Sequence, residues 1–254
     1  MSVASISLAD RVVLITGASA GIGRASALAL AAASARVVVV DVNVEGGEET
    51  VALICAAGGE ATFIAADVAD AASVDALMNA IVARYGRLDC AHNNAGIELP
   101  IASLADAEER DWDRGIAVNL KSVWLCMRAE LRQMLKQGGG VIVNTSSVGG
   151  LTAVPGNAVY SAAKHGVIGL TRTAAVEYAT RNIRVNAICP GLTRSGMTER
   201  LIKAAPDLIK SVMPPMQRFA EPSEIGGLVA FLCSPLASYL TGQAIAVDGA
   251  ATAV

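Results

Sequence analysis

Short runs of β-branched and aliphatic residues alternate along this chain with longer stretches whose apolar positions recur every three or four residues. Residues 11–16 and 36–41 are almost continuously apolar, as a strand covered on both faces requires. Shorter runs at 62–65, 88–92, 140–144, 183–188 and 244–248 repeat the theme. Between them, alanine-rich amphipathic stretches at 22–34, 45–57, 71–85, 108–137, 157–181 and 222–233 predict helices. Buried strands separated by helices predict an α/β fold, a parallel sheet with helices on both faces. No long linker, internal repeat or low-complexity segment interrupts the alternation, so one domain is expected across all 254 residues.

Composition narrows the class. At 53% apolar and 17% charged residues the chain can build a substantial core and is not expected to be disordered. A net charge of −3 with no basic block argues against nucleic acid or an anionic membrane as the main partner. Every apolar stretch is broken before about 18 residues, so no spanning helix is expected, and residues 1–10 do not read as a secretory signal. The five cysteines are scattered without metal-ligand or disulfide spacing and fit a reducing cytoplasm. Only two histidines, His92 and His165, are present, which argues against a histidine-based metal site.

After the first predicted strand the chain reads Thr16-Gly17-Ala18-Ser19-Ala20-Gly21-Ile22-Gly23 and runs into a helix. Glycines at Gly17, Gly21 and Gly23 let the backbone turn sharply and approach a pyrophosphate, whose charge a helix N-terminus favours. Ser19 adds a hydroxyl donor. Asp41 closes the second strand, where a carboxylate accepts hydrogen bonds from an adenosine ribose and repels a 2′-phosphate. Ala20, Val42 and Asn43 supply no cation for such a phosphate, so NAD is expected over NADP. Further on, Tyr160 and Lys164 stand at i and i+4 and share one helix face. An ammonium held beside a phenol favours the phenolate and suits the tyrosine to proton transfer.

Taken together, the glycine loop, Asp41 and the Tyr160/Lys164 pair resemble the short-chain dehydrogenase/reductase family along nearly the whole chain. The resemblance implies a single Rossmann-like, doubly wound domain with a seven-stranded parallel sheet. It implies adenine contacts from Asp67 and Val68, and cofactor contacts from Ile22, Asn94, Ala95, Gly96, Pro190 and Gly191. Asn119, Ser147, Tyr160 and Lys164 match the family's catalytic positions. Thr193 stands where the family often has isoleucine and Ser195 where threonine is common, which loosens the nicotinamide carboxamide contact expected of them. Ala250 replaces a frequent second glycine.

By this resemblance, Tyr160 exchanges a proton with a substrate oxygen while hydride passes to or from the nicotinamide. Ser147 steadies that oxygen, Lys164 lowers the phenol pKa and holds the nicotinamide ribose, and Asn119 anchors a relay water. Residues 192–217 form an insertion that covers the substrate in this family. Its apolar character, with Met197, Leu99, Val148, Gly149, Leu151 and Val154, suggests a hydrophobic, cyclic or aromatic secondary alcohol or ketone. Alternatives are a 3-oxoacyl thioester reductase, a polyol or sugar dehydrogenase, and a non-catalytic dinucleotide-binding protein. Trp112 and Trp124 are expected in a core or subunit contact, and a homotetramer is expected by analogy.

Overall fold

The computed structural model describes residues 6–204, 209, 210 and 212–253. Seven strands, β1 (Val12–Thr16), β2 (Arg36–Asp41), β3 (Glu60–Ala65), β4 (Cys90–Asn93), β5 (Gly140–Thr145), β6 (Ile183–Pro190) and β7 (Ala244–Val247), make one sheet. All pairs are parallel, in the order β3-β2-β1-β4-β5-β6-β7. The helices described are α1 (Gly21–Ala32), α2 (Val44–Ala56), α3 (Ala71–Tyr85), α4 (Glu109–Ile116), α5 (Ser122–Gln137), α6 (Ala158–Tyr178), α7 (Gly196–Ala204) and α8 (Pro222–Cys233).

Side chains alternate across the sheet, and both faces are covered. Val12, Leu14, Val38, Val40 and Ile142 enter one core with Leu77 of α3, Leu125 of α5 and Val167 of α6. Their neighbours Val13, Ile15, Val37, Val39 and Val143 enter a second core with Leu30 of α1 and Val229 of α8. That double burial is why β1 and β2 are continuous apolar runs rather than alternating ones. β1 pairs with β2 on one side and β4 on the other, so the winding reverses beside it. Such a reversal opens a crevice at the carboxyl ends of the strands.

Several boundaries depart from expectation for identifiable reasons. The long helix predicted at 108–137 is interrupted by a π-turn, Ala117–Lys121, that separates α4 from α5. The extra residue in that turn directs Asn119 inward, where it is fully buried. The 157–181 helix stops at Tyr178, and a 3₁₀ turn, Ala179–Arg181, follows. β4 runs from Cys90, one residue after Asp89, whose backbone already bonds Val12 and Val141 and whose carboxylate takes the Val12 N–H at 2.9 Å and pairs with Arg11 and Arg87. Trp112 and Trp124 are not in the core. They are 48% and 43% exposed, which leaves subunit contact as the surviving expectation. No helix among the described residues is long and apolar enough to cross a membrane.

The segment after β6 is held at its neck. Arg194 N–H donates to the Ala220 carbonyl at 2.9 Å, and Ala220 N–H donates to the Leu192 carbonyl at 2.9 Å. Thr193 and Ala220 thereby form a parallel bridge that brings the two ends of the 194–219 loop together.

One buried acid carries a stability prediction. Glu130 of α5 is fully buried, accepts one bond from Asn93 Nδ2 at 3.0 Å, and has no partner on its other oxygen among the described residues. Burial raises its pKa to about 8 against the opposing effect of the Asn93 bond. The folded protein therefore keeps a proton that the unfolded chain begins to lose at ordinary carboxylate pH. This contribution is complete below that value, declines as pH rises, and is exhausted once pH passes the folded value. Glu130→Gln mimics the protonated form. The difference in Tm between variant and parent should grow in favour of the variant from pH 5 to pH 8 or so and then level off. Parallel Tm curves across that window would reject the assignment.

Candidate active site

The carboxyl ends of the strands surround a cleft of about 590 Å³, a size suited to a small-molecule ligand. At one end sits the turn between β1 and α1. Gly17 has φ +64 and Gly21 φ +53, conformations that side-chain-bearing residues rarely adopt. A Cβ on Gly17 would lie 2.8 Å from Ala95 Cα, and one on Gly23 would lie 2.0 Å from the Gly17 carbonyl oxygen. The loop after β4 clasps this turn. Thr16 Oγ1 accepts the N–H groups of Asn94 and Ala95 at 3.0 and 3.1 Å, while Asn94 Nδ2 donates to the Thr16 and Gly17 carbonyls.

Helix α1 begins without a capping side chain and without an acid in its first turn. Its orphan N–H groups, at Gly21 and Ile22 on the cleft wall, are free to receive an anion. The Asp41 carboxylate lies beside them, accepting the Ser19 and Asn43 N–H groups at 3.0 Å each. Arg24, the cation nearest the loop, is bound to the Ser19 carbonyl, Thr50 and Glu49. Glycine-tight backbone, uncapped helix and neighbouring carboxylate fit the pyrophosphate and ribose of a dinucleotide.

At the other end α6 presents Tyr160 and Lys164 one turn apart. Lys164 is 3% exposed, and its Nζ donates to the Thr145 carbonyl at 2.9 Å. Ser146 Oγ bonds the Lys164 carbonyl at 2.8 Å, so the end of β5 grips this helix at both backbone and side chain. Burial lowers the Lys164 pKa to about 8. The Tyr160 phenol is raised by burial, with a hydrogen bond from Ser147 pulling the other way. The lysine lowering of the phenol expected from the i, i+4 spacing is not among the influences on Tyr160 here. The Lys164 ammonium stands 5.6 Å from the Tyr160 ring centroid and is engaged by the Thr145 carbonyl.

Ser147 caps a 3₁₀ turn, Val148–Gly150, by accepting the Gly149 N–H at 3.1 Å. Asn119 has both ends of its amide committed: Oδ1 accepts the Ile97 N–H at 2.8 Å and Nδ2 donates to the Ile97 carbonyl at 3.0 Å. His92, for which the sequence suggests no partner, bonds Thr145 Oγ1 at 2.8 Å, and Thr145 Oγ1 reaches Asn94 Oδ1 at 3.3 Å.

The cleft is lined by Gly17, Ser19, Gly21, Ile22, Asp41, Asp67, Val68, Asn94, Ala95, Gly96, Asn119, Ser147, Tyr160, Lys164, Pro190, Gly191, Thr193 and Ser195. Gly23 stands behind it, packed on the turn. The suggested substrate residues are placed differently. Leu99 faces a separate small recess with Val159 and Tyr160, and Val154 packs near Gly149 and Ser147. Leu99, Val148, Gly149 and Val154 are all absent from the main cleft wall, whereas Ser147 and Tyr160 line it. Met197 lies in α7, its side chain outside the described residues, as is Leu208. Apolar wall is supplied instead by Ile97 and Val118, each one residue from a motif position, and α7 contributes Thr198 and Arg200. Adjacency to Gly96 and Asn119 could have flagged the first two; nothing in the sequence marks Arg200. A second cleft, of about 460 Å³, lies around Arg11, Asp89 and Arg184, remote from this chemistry.

A family model described as enoyl-(acyl carrier protein) reductase matches residues 17–252. Levodione reductase of Leifsonia aquatica is 42% identical over 258 residues, covering 96% of this chain and 95% of that protein. Cyclohexanol dehydrogenase of Acinetobacter sp. (strain SE19) is 39% identical, with 96% and 95% covered. The crystal structure of levodione reductase superimposes with a TM-score of 0.94 at 40% identity, covering 97% of this chain and 99% of the other. A dinucleotide-type crevice, a serine, tyrosine and lysine on its wall, and relatives matched almost end to end lead to one conclusion: this chain belongs to the short-chain dehydrogenase/reductase family of nicotinamide-dependent oxidoreductases.

Proposed function

We propose that this protein is an NAD-dependent dehydrogenase that interconverts a cyclic, largely apolar secondary alcohol and its ketone. The observation that carries the reading is the joining, in one cleft, of the half-buried Tyr160 phenol, Ser147 and the buried Lys164 to a glycine-rich dinucleotide cradle. When bound, the nicotinamide supplies a hydride acceptor or donor. Tyr160 removes the alcohol proton during oxidation and returns it during reduction. Ser147 donates a hydrogen bond to the substrate oxygen as negative charge grows on it. Lys164, held by Thr145, keeps positive charge near the phenolate and bonds the nicotinamide ribose. Thr193, Ser195 and the first turns of α7 cover the substrate, with Ile97 and Val118 forming the apolar floor. Two relatives named for levodione and cyclohexanol support a ring substrate.

The cofactor choice rests on Asp41. Its carboxylate faces the cleft, and the nearest arginine is already paired with Glu49. Asp41→Ala removes both the ribose acceptor and the charge that repels a 2′-phosphate. The ratio of kcat/KM for NAD over NADP should fall by about tenfold or more, equivalent to about 1.4 kcal/mol. An unchanged ratio, measured by steady-state kinetics with each cofactor, would refute the assignment. It would also revive the 3-oxoacyl thioester reading, which relatives named 3-oxoacyl-[acyl-carrier-protein] reductase support.

A further inference from the structure

We infer that Glu98 and Arg200 set the charge selectivity of the substrate site, reserving it for uncharged alcohols and ketones. The inference rests on the alcohol/ketone reading above and deepens it. Arg200 belongs to α7, and its side chain forms part of the cleft wall. Its Nε lies 2.5 Å from Glu98 Oε1, two residues beyond Gly96 on the segment leaving β4. The pair thus links two segments that are 102 positions apart in the chain.

With side chains 64% and 35% exposed, this ion pair adds little to stability. Its consequence is electrostatic. An unpaired guanidinium on a cleft wall recognises a carboxylate with paired, directed N–H donors. Held by Glu98, the same guanidinium is locally neutralised, and an anionic ligand must displace a carboxylate already tethered beside it. The other Glu98 oxygen, Oε2, is buried without a hydrogen-bond partner among the described residues, so it adds unrelieved negative potential next to Arg200. Two other cations near the cleft are engaged elsewhere: Arg194 with Glu221, and Lys164 with the Thr145 carbonyl. Glu98 is therefore the residue that keeps Arg200 from serving as an anion anchor.

The test uses cyclohexanecarboxylate, a ring anion with no carbinol to oxidise, titrated by calorimetry into the NAD-loaded protein. Glu98→Gln, which keeps the shape and removes the charge, should bind it about tenfold tighter or more than the parent. Glu98→Gln combined with Arg200→Gln should lose that gain, with thermal melting confirming that both variants are folded. In parallel, kcat/KM for 4-hydroxycyclohexanecarboxylate relative to cyclohexanol should rise by a similar factor in Glu98→Gln. No gain in binding, a gain that survives loss of Arg200, or an equal fall for both substrates would overturn the inference. Failure of the parent to oxidise any alcohol would count against the alcohol/ketone reading alone, and the calorimetric comparison would still decide the role of Glu98.

Discussion

Tyr160→Phe is expected to lower kcat/KM for alcohol oxidation by about 10²- to 10⁴-fold, the range for loss of a positioned general acid–base group. The substitution deletes one oxygen from a side chain whose ring packing is otherwise preserved. Lys164 keeps its hold on the Thr145 carbonyl at 2.9 Å, and the glycine turn lies at the other end of the cleft. Cofactor affinity should therefore be nearly unchanged, and titration of the variant with NAD separates chemistry from binding. Turnover equal to the parent would remove Tyr160 from the mechanism. Equal loss of turnover and NAD binding would make its role structural.

Gly23→Ala should act through binding instead. An added methyl would sit 2.0 Å from the Gly17 carbonyl oxygen and 2.7 Å from Asn94 Nδ2, inside any tolerable contact. The turn must spread, and the Asn94 bonds that clamp it must lengthen. Overpacking of this kind costs about 1–3 kcal/mol. Taken from the cradle, that energy weakens NAD by about five- to a hundredfold. Gly227→Ala is the contrast, because a Cβ there meets nothing within 4 Å and alanine suits a helix interior better than glycine. NAD dissociation constants for the two variants should diverge by that factor. Matching constants would mean that the turn does not carry the pyrophosphate.

The parts of the fold legible in the sequence are those where burial is continuous. β1 and β2 are apolar on consecutive positions because each face meets its own core. The candidate site was legible where its walls come from contiguous residues, as in Gly17 to Gly23 or Asn94 to Gly96. Long-range geometry was not. The π-turn leaves the apolar spacing of 108–137 nearly intact while turning Asn119 inward. His92 has no neighbour in sequence to announce its bond to Thr145, 53 residues away. Arg200 enters the cleft because α7 folds back over it, which no local signal encodes. The Tyr160/Lys164 spacing indicated a shared helix face correctly, but burial of both groups, which spacing cannot reveal, dominates their proton affinities.

The bridge between Thr193 and Ala220 has a consequence for how substrate preference can diverge among such chains. Because the neck closes through backbone bonds, its geometry does not depend on which side chains occupy the loop beyond it. Arg194 and Phe219 thus leave the neck on one frame that backbone alone sets. Exchange of side chains beyond it leaves the register of β6 and the start of α8 in place, while Ser195, Thr198 and Arg200 reach the same cleft as the glycine turn. A change in that interval is therefore felt directly at the cleft, with the frame that carries it unaltered.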